Sequence, residues 1–138
     1  MIYCDTSLLV SALTEETDSD RAADWLASVS GRSLAISSWT FTEFASAIAA
    51  KVRANLLSSE GRSVIETRWQ ALSASVQLLP IEPRHFTRST LLVDAGPRGL
   101  RAGDALHLAV AIEHGCELAT FDHDLADAAR ELGVAVHP

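Results

Sequence analysis

Short apolar runs alternate with longer stretches of helical period along the whole chain, and this alternation limits the fold more than any single motif. Ile2-Tyr3-Cys4, Leu34-Ala35-Ile36, Val76 to Leu79, Glu117 to Thr120 and Val134-Ala135-Val136 read as strands. Between them lie helical patterns at about Ser7 to Leu13, Ser19 to Ser30, Trp39 to Leu56, Ser59 to Ser73, Pro83 to about Ala95, Ala102 to His114 and Asp124 to Leu132. The clearest stripe is Phe41, Phe44, Ala45, Ile48, Ala49 and Val52, one face of a helix. Ala95-Gly96-Pro97 is a C-cap and stop signal. Strands that alternate with helices imply a parallel sheet covered on both faces. The fold class is therefore α/β, a three-layer α/β/α sandwich, and the 138 residues suffice for a single domain, 1–138.

Composition narrows the setting. With 48% apolar residues the chain can build a full core without disulfides or a structural metal. Cys4 and Cys116 follow no metal-ligand spacing, and Cys4 reads as a small core residue. The first residues show no secretory leader, and no apolar run approaches the ~20 residues that cross a bilayer. A soluble, cytoplasmic protein without a membrane partner is expected. A formal charge of −7 argues against a simple nucleic-acid binder, which usually presents a basic surface. A hydrolase that holds cations between carboxylates escapes that objection, because the metal reverses the local charge.

In a parallel sheet the ligand site lies outside the carboxyl ends of the strands, where the crossover helices begin. Four acids fall there: Asp5 after the first strand, Glu43 early in the helix after the second, Asp104 in a helix's first turn, and Asp122 after the fourth strand. Each also has a purely structural reading. Asp5 and Asp122 can cap the helices that follow them. Thr40 to Glu43 fits a capping box with Thr40 as N-cap, and Asp104 suits the helix dipole. Capping does not require acids at all four places, since serine and threonine serve as well. Gathered carboxylates repel one another unless a cation lies between them. All-oxygen ligation selects Mg²⁺ or Mn²⁺, and phosphodiester hydrolysis is the reaction such a site suits.

The residues that carry this pattern are Ile2-Tyr3-Cys4-Asp5-Thr6-Ser7, Trp39-Thr40-Phe41-Thr42-Glu43-Phe44, Ala102-Gly103-Asp104-Ala105-Leu106-His107 and Leu118-Ala119-Thr120-Phe121-Asp122-His123-Asp124. In order and spacing they resemble the PIN-domain nucleases, and within them the VapC-type toxins of toxin–antitoxin pairs. The resemblance implies a five-stranded parallel sheet, Mg²⁺- or Mn²⁺-dependent endoribonuclease activity on RNA, a homodimer and a cognate antitoxin. It implies Asp5 and Asp104 as principal metal ligands, with Glu43 and Asp122 completing the site. Thr6, Ser7 and Thr120 match small hydroxyl positions that support the ligands. Asp124 is left between a second metal and support of the last helix.

Among the other polar residues, His107 lies one turn after Asp104, and a packing and hydrogen-bonding role is favoured over ligation or proton transfer. His123 reads as a solvated loop residue, and Arg98 and Arg101 as contacts to RNA phosphate. A phosphotransfer domain with Asp5 as nucleophile is disfavoured, because Lys51, the sole lysine, sits in mid-helix and no second aspartate stands two residues after Asp5. A silent binding module and a housekeeping RNA-processing nuclease remain the alternatives.

Overall fold

The computed structural model describes residues 1–95 and 99–138. Five strands, β1 (Ile2–Cys4), β2 (Leu34–Ser37), β3 (Gln77–Leu79), β4 (Glu117–Ala119) and β5 (Val136–His137), form one sheet of order β3-β2-β1-β4-β5. All four pairings are parallel. The helices are α1 (Thr6–Leu13), α2 (Ser19–Ser28), α3 (Ser38–Arg53), α4 (Ser59–Ser75), α5 (Pro83–Ala95), α6 (Ala102–Glu113) and α7 (His123–Glu131).

Side chains alternate across a strand, and here both faces are buried. Ile2 and Cys4 of β1 pack with Ile36, Ala119 and residues of α1 to α4. Tyr3, between them in sequence, packs on the opposite face with Ala35, Leu118 and residues of α5, α6 and α7. These two cores make the three layers. Cys4 is a free, buried thiol within the first core.

Most element ends differ from the sequence reading by a residue or two, and three of them have an evident local reason. Helix α3 starts at Ser38 with Ser37 as N-cap, and Thr40 Oγ1 accepts from the Ser37 amide at 3.2 Å. Thr40 is thus the third residue of the helix, not its cap, and Glu43 is not needed for capping. The same helix stops at Arg53, short of Leu56, because Asn55 adopts φ 57 and a Schellman pair closes it, Leu56 N to Lys51 O and Asn55 N to Val52 O. At the end of α7, Gly133 has φ 77 and the Val134 amide bonds back to Ala129 O. Val134 is thereby used in the cap, and β5 begins later, at Val136.

Neighbours β2 and β4 flank β1, so the chain leaves β1 in one direction and returns on its other side. This is a topological switch point, and the crevice outside the carboxyl ends of β1 and β4 is the expected place for a ligand.

Candidate active site

The last pairing of β1 with β4 places the crevice floor. The Asp5 amide donates to Ala119 O at 2.9 Å, which holds Asp5 beside the end of β4. Asp5 is the N-cap of α1, as a structural reading expects, but capping occupies only one of its oxygens. Oδ2 accepts from Ser7 N at 3.2 Å, Ser7 Oγ at 2.5 Å and Thr120 Oγ1 at 2.8 Å. Ser7 Oγ in turn accepts from the Phe121 amide and Thr120 Oγ1 from the Asp122 amide, both at 3.0 Å. Ser7 and Thr120 therefore tie the end of β1 to the loop after β4. The other oxygen, Oδ1, lies 3.3 Å from His107 Nε2.

Glu43 reaches the same point from the second turn of α3. Its Oε2 accepts from Thr6 Oγ1 at 2.8 Å and from His107 Nε2 at 2.5 Å. Its Oε1 lies over Gly103, where an added Cβ would stand 2.5 Å from that oxygen and 3.5 Å from Trp39 Nε1. A Cβ here would force this carboxylate to shift from its present position. The indole N–H of Trp39 is shielded from solvent and has no hydrogen-bond partner among the described residues.

His107 is fully buried. Its Nδ1 is 2.8 Å from Tyr3 Oη, which is 2.7 Å from Ser37 Oγ. A carboxylate only accepts, so Nε2 carries the proton that points at Glu43. Burial opposes a charged imidazole, yet the neighbouring Asp5, Glu43 and Asp104 outweigh it and raise the His107 pKa. Burial of Glu43 is likewise outweighed by the His107 hydrogen bond and charge, and its pKa is lowered. Burial, together with the charges of Asp5 and Glu43, holds the Tyr3 phenol protonated well above its usual range.

Asp104 and Asp122 form the rest of the rim. Asp122 caps α7, with Oδ1 accepting from Leu125 N at 2.8 Å. Asp104, half-buried in the first turn of α6, makes no hydrogen bond among the described residues. Partial burial, then the charges of Asp122, Asp5 and Glu43, push its pKa up from 3.8 to about 6. One ligand atom each from Asp5, Glu43 and His107 lies within 4.8 Å of the others. Asp104 and Asp122 stand outside that group; Asp104 feels the charges of Asp5, Glu43 and Asp122. The donor set is carboxylate oxygen with one imidazole, and unrelieved negative charge at Asp104 is the condition a hard divalent cation answers.

The remaining sequence candidates divide. Thr6, Ser7 and Thr120 all donate to Glu43 or Asp5. Asp124 and His123 are exposed at the start of α7, with no hydrogen bond to the acids among the described residues. Arg101 is exposed as the N-cap of α6, three residues before Asp104. Arg98 lies outside the described residues. Sequence reasoning missed Tyr3, Ser37 and Gly103. Tyr3 and Ser37 carried no local signal beyond being polar residues at buried strand positions, but a glycine inside a helix beside a candidate ligand was visible and marks a close approach.

Comparison with known proteins places this arrangement. The PIN domain family model matches residues 2–131. Ribonuclease VapC35 of Mycobacterium tuberculosis is 34% identical over 141 residues, covering 99% of this chain and 95% of the relative. Ribonuclease VapC47 of the same species is 30% identical, covering 96% and 93%. Among solved structures, FitAcB from Neisseria gonorrhoeae superposes with a TM-score of 0.74 at 24% identity, over 100% of this chain and 97% of that one. By a family match that spans nearly its whole length and by these relatives, the chain belongs to the PIN domain family, within its VapC branch.

Proposed function

We propose that this protein is a Mg²⁺- or Mn²⁺-dependent endoribonuclease, the toxin of a VapBC-type toxin–antitoxin pair. The observation that carries the reading is that Asp5, Glu43 and Asp122 all act by charge on Asp104 at the switch point, where partial burial and then these charges raise its pKa to about 6. The curated relatives bear the name ribonuclease.

In this reading Asp5 and Asp104 hold the cation, and Glu43 and Asp122 complete its surroundings. A divalent ion bound there would make a water nucleophilic at neutral pH and offset charge on the attacked phosphate. The chain's own residues do the positioning. Ser7, Thr120 and the α1 amide fix one oxygen of Asp5, and the other lies toward His107. Thr6 and His107 fix Glu43. Asp104, without a hydrogen bond among the described residues, is the acid assigned to turn toward an arriving cation and substrate. Arg101, exposed beside Asp104, is assigned to RNA phosphate, for which a guanidinium is the suitable donor.

The structural neighbours include a toxin–antitoxin complex from Klebsiella pneumoniae, similar in fold at a TM-score of 0.63. By that analogy a cognate antitoxin is a partner of this chain; a second copy of itself as partner and the cytoplasm as its place of action are inferred from the family resemblance. No helix among the described residues is long and apolar enough to cross a membrane.

The test is incubation of purified, antitoxin-free protein with RNA from its own host, with Mn²⁺ and with EDTA, beside Asp5→Ala. Cleavage that needs the metal and vanishes in the variant supports the reading. Intact RNA from folded, metal-binding protein would replace the nuclease with a binding module.

A further inference from the structure

Three fully buried polar side chains, Ser37, Tyr3 and His107, and the half-buried Glu43 form a circuit that joins the elements bearing three of the acids. Ser37 is the N-cap of α3, Tyr3 lies in β1, His107 in α6 and Glu43 in α3. The links are Ser37 Oγ to Tyr3 Oη at 2.7 Å, Tyr3 Oη to His107 Nδ1 at 2.8 Å and His107 Nε2 to Glu43 Oε2 at 2.5 Å. The path begins and ends on α3, so it closes through that helix's backbone. Asp5 follows Tyr3 by two residues, and Asp104 precedes His107 by one helical turn. A shift in any link moves an acid.

His107 Nε2 also lies 3.3 Å from Asp5 Oδ1 and 3.2 Å from Thr6 Oγ1. Its N–H therefore stands between the two carboxylates that would otherwise repel. Two atoms that share one cation at bonds of about 2.1 Å ordinarily stand about 3 Å apart. At 2.5 Å, His107 and Glu43 are placed as hydrogen-bond partners and not as co-ligands.

We infer that His107, oriented by Tyr3 and Ser37, is a positioning residue that sets the Asp5–Glu43 geometry before a cation arrives, and so sets metal affinity. The inference rests on the nuclease reading only for its consequence in activity. Buried groups that orient metal ligands typically govern affinity or activity by about 10- to 100-fold.

The experiment measures Mn²⁺ affinity by calorimetry and RNA cleavage on the same samples of wild type, Tyr3→Phe, His107→Gln and His107→Leu. The imidazole nitrogens of metal-free protein are followed by ¹⁵N NMR. Expected are a protonated Nε2 on His107, and Mn²⁺ binding weakened about tenfold or more in Tyr3→Phe and most in His107→Leu. His107→Gln, which can return an N–H toward Glu43, should recover part of the loss. If His107→Leu does not fold, Tyr3→Phe and His107→Gln decide the matter. Equal affinities in folded variants of a protein that cuts RNA would overturn this inference alone. Affinities ordered as stated, in wild type that cuts no RNA, would overturn the nuclease reading and leave this one standing. Wild type that takes up no Mn²⁺ would overturn both.

Discussion

Asp5 and Glu43 occupy a half of the site saturated with hydrogen bonds, whereas Asp104 faces the same space with none among the described residues. Asp5 takes three donors on one oxygen, and Glu43 takes Thr6 and His107 on one oxygen and crowds Gly103 with the other. Asp104 has partial burial and three neighbouring carboxylates. Identical chemistry thus meets opposite environments. Hydrogen bonds and a cation-like imidazole hold Glu43 ionised, while Asp104 is held near pKa 6. The first half is prearranged by the protein, and the second is left for a ligand to complete.

The comparison breaks first at Asp5. Asp5→Asn keeps a cap for α1 and removes the charge, and cleavage should fall by more than about 100-fold, beyond the usual loss from an outer-shell partner. Activity retained in the folded variant would mean that the prearranged half is not where chemistry occurs.

Gly103→Ala is the next largest. Alanine favours a helix over glycine by about 1 kcal/mol, yet here its Cβ would meet Glu43 Oε1 at 2.5 Å. Glu43 is pinned by Thr6 and His107 and cannot yield freely. Activity should drop about 10- to 100-fold while the far-UV spectrum is unchanged. Full activity with full stability would show that the Glu43 carboxylate is not clamped as described.

Proton linkage sharpens the other half. The folded pKa of Asp104, about 6, lies above its ordinary 3.8, so folding favours the protonated form. Its stabilising contribution is complete below about pH 4 and is lost as pH rises through about 6. In EDTA, the urea midpoint of Asp104→Asn relative to wild type should therefore improve between pH 4 and 7. Mn²⁺ should reverse the trend for wild type, because binding requires the ionised carboxylate. A pH-independent difference between the two proteins would refute the assignment.

The smallest expected effect is Thr120→Val. It removes one of three donors to Asp5 and leaves the Asp122 amide without its acceptor. A cost of about 1–3 kcal/mol in stability is expected from denaturant titration, with a severalfold loss of cleavage. An unchanged midpoint would mean that Ser7 alone anchors Asp5.

Much of this was legible in the chain. The five apolar runs and seven helical patterns predict the α/β class, and the rule that ligands bind beyond the carboxyl ends of strands brings Asp5, Glu43, Asp104 and Asp122 to one edge. Thr6, Ser7 and Thr120 were pointed to by the family resemblance alone. The ends of elements were less so. Asn55 and Gly133 close their helices through left-handed backbone and Schellman bonds, and hydrophobic period carries no record of such turns.

By itself, then, the sequence determined what depends on local order: strand and helix alternation, which acids stand at strand ends, and the two-sided burial of β1. Only the tertiary structure decided which oxygen of Asp5 is held by Ser7 and Thr120, why residue 103 is glycine, and that His107 joins Tyr3 to Glu43 across separations of 104 and 64 residues. The physical reason is the range of the forces involved. Periodicity reports which face of one element meets the core, whereas hydrogen-bond partners depend on register and packing between elements distant in the chain.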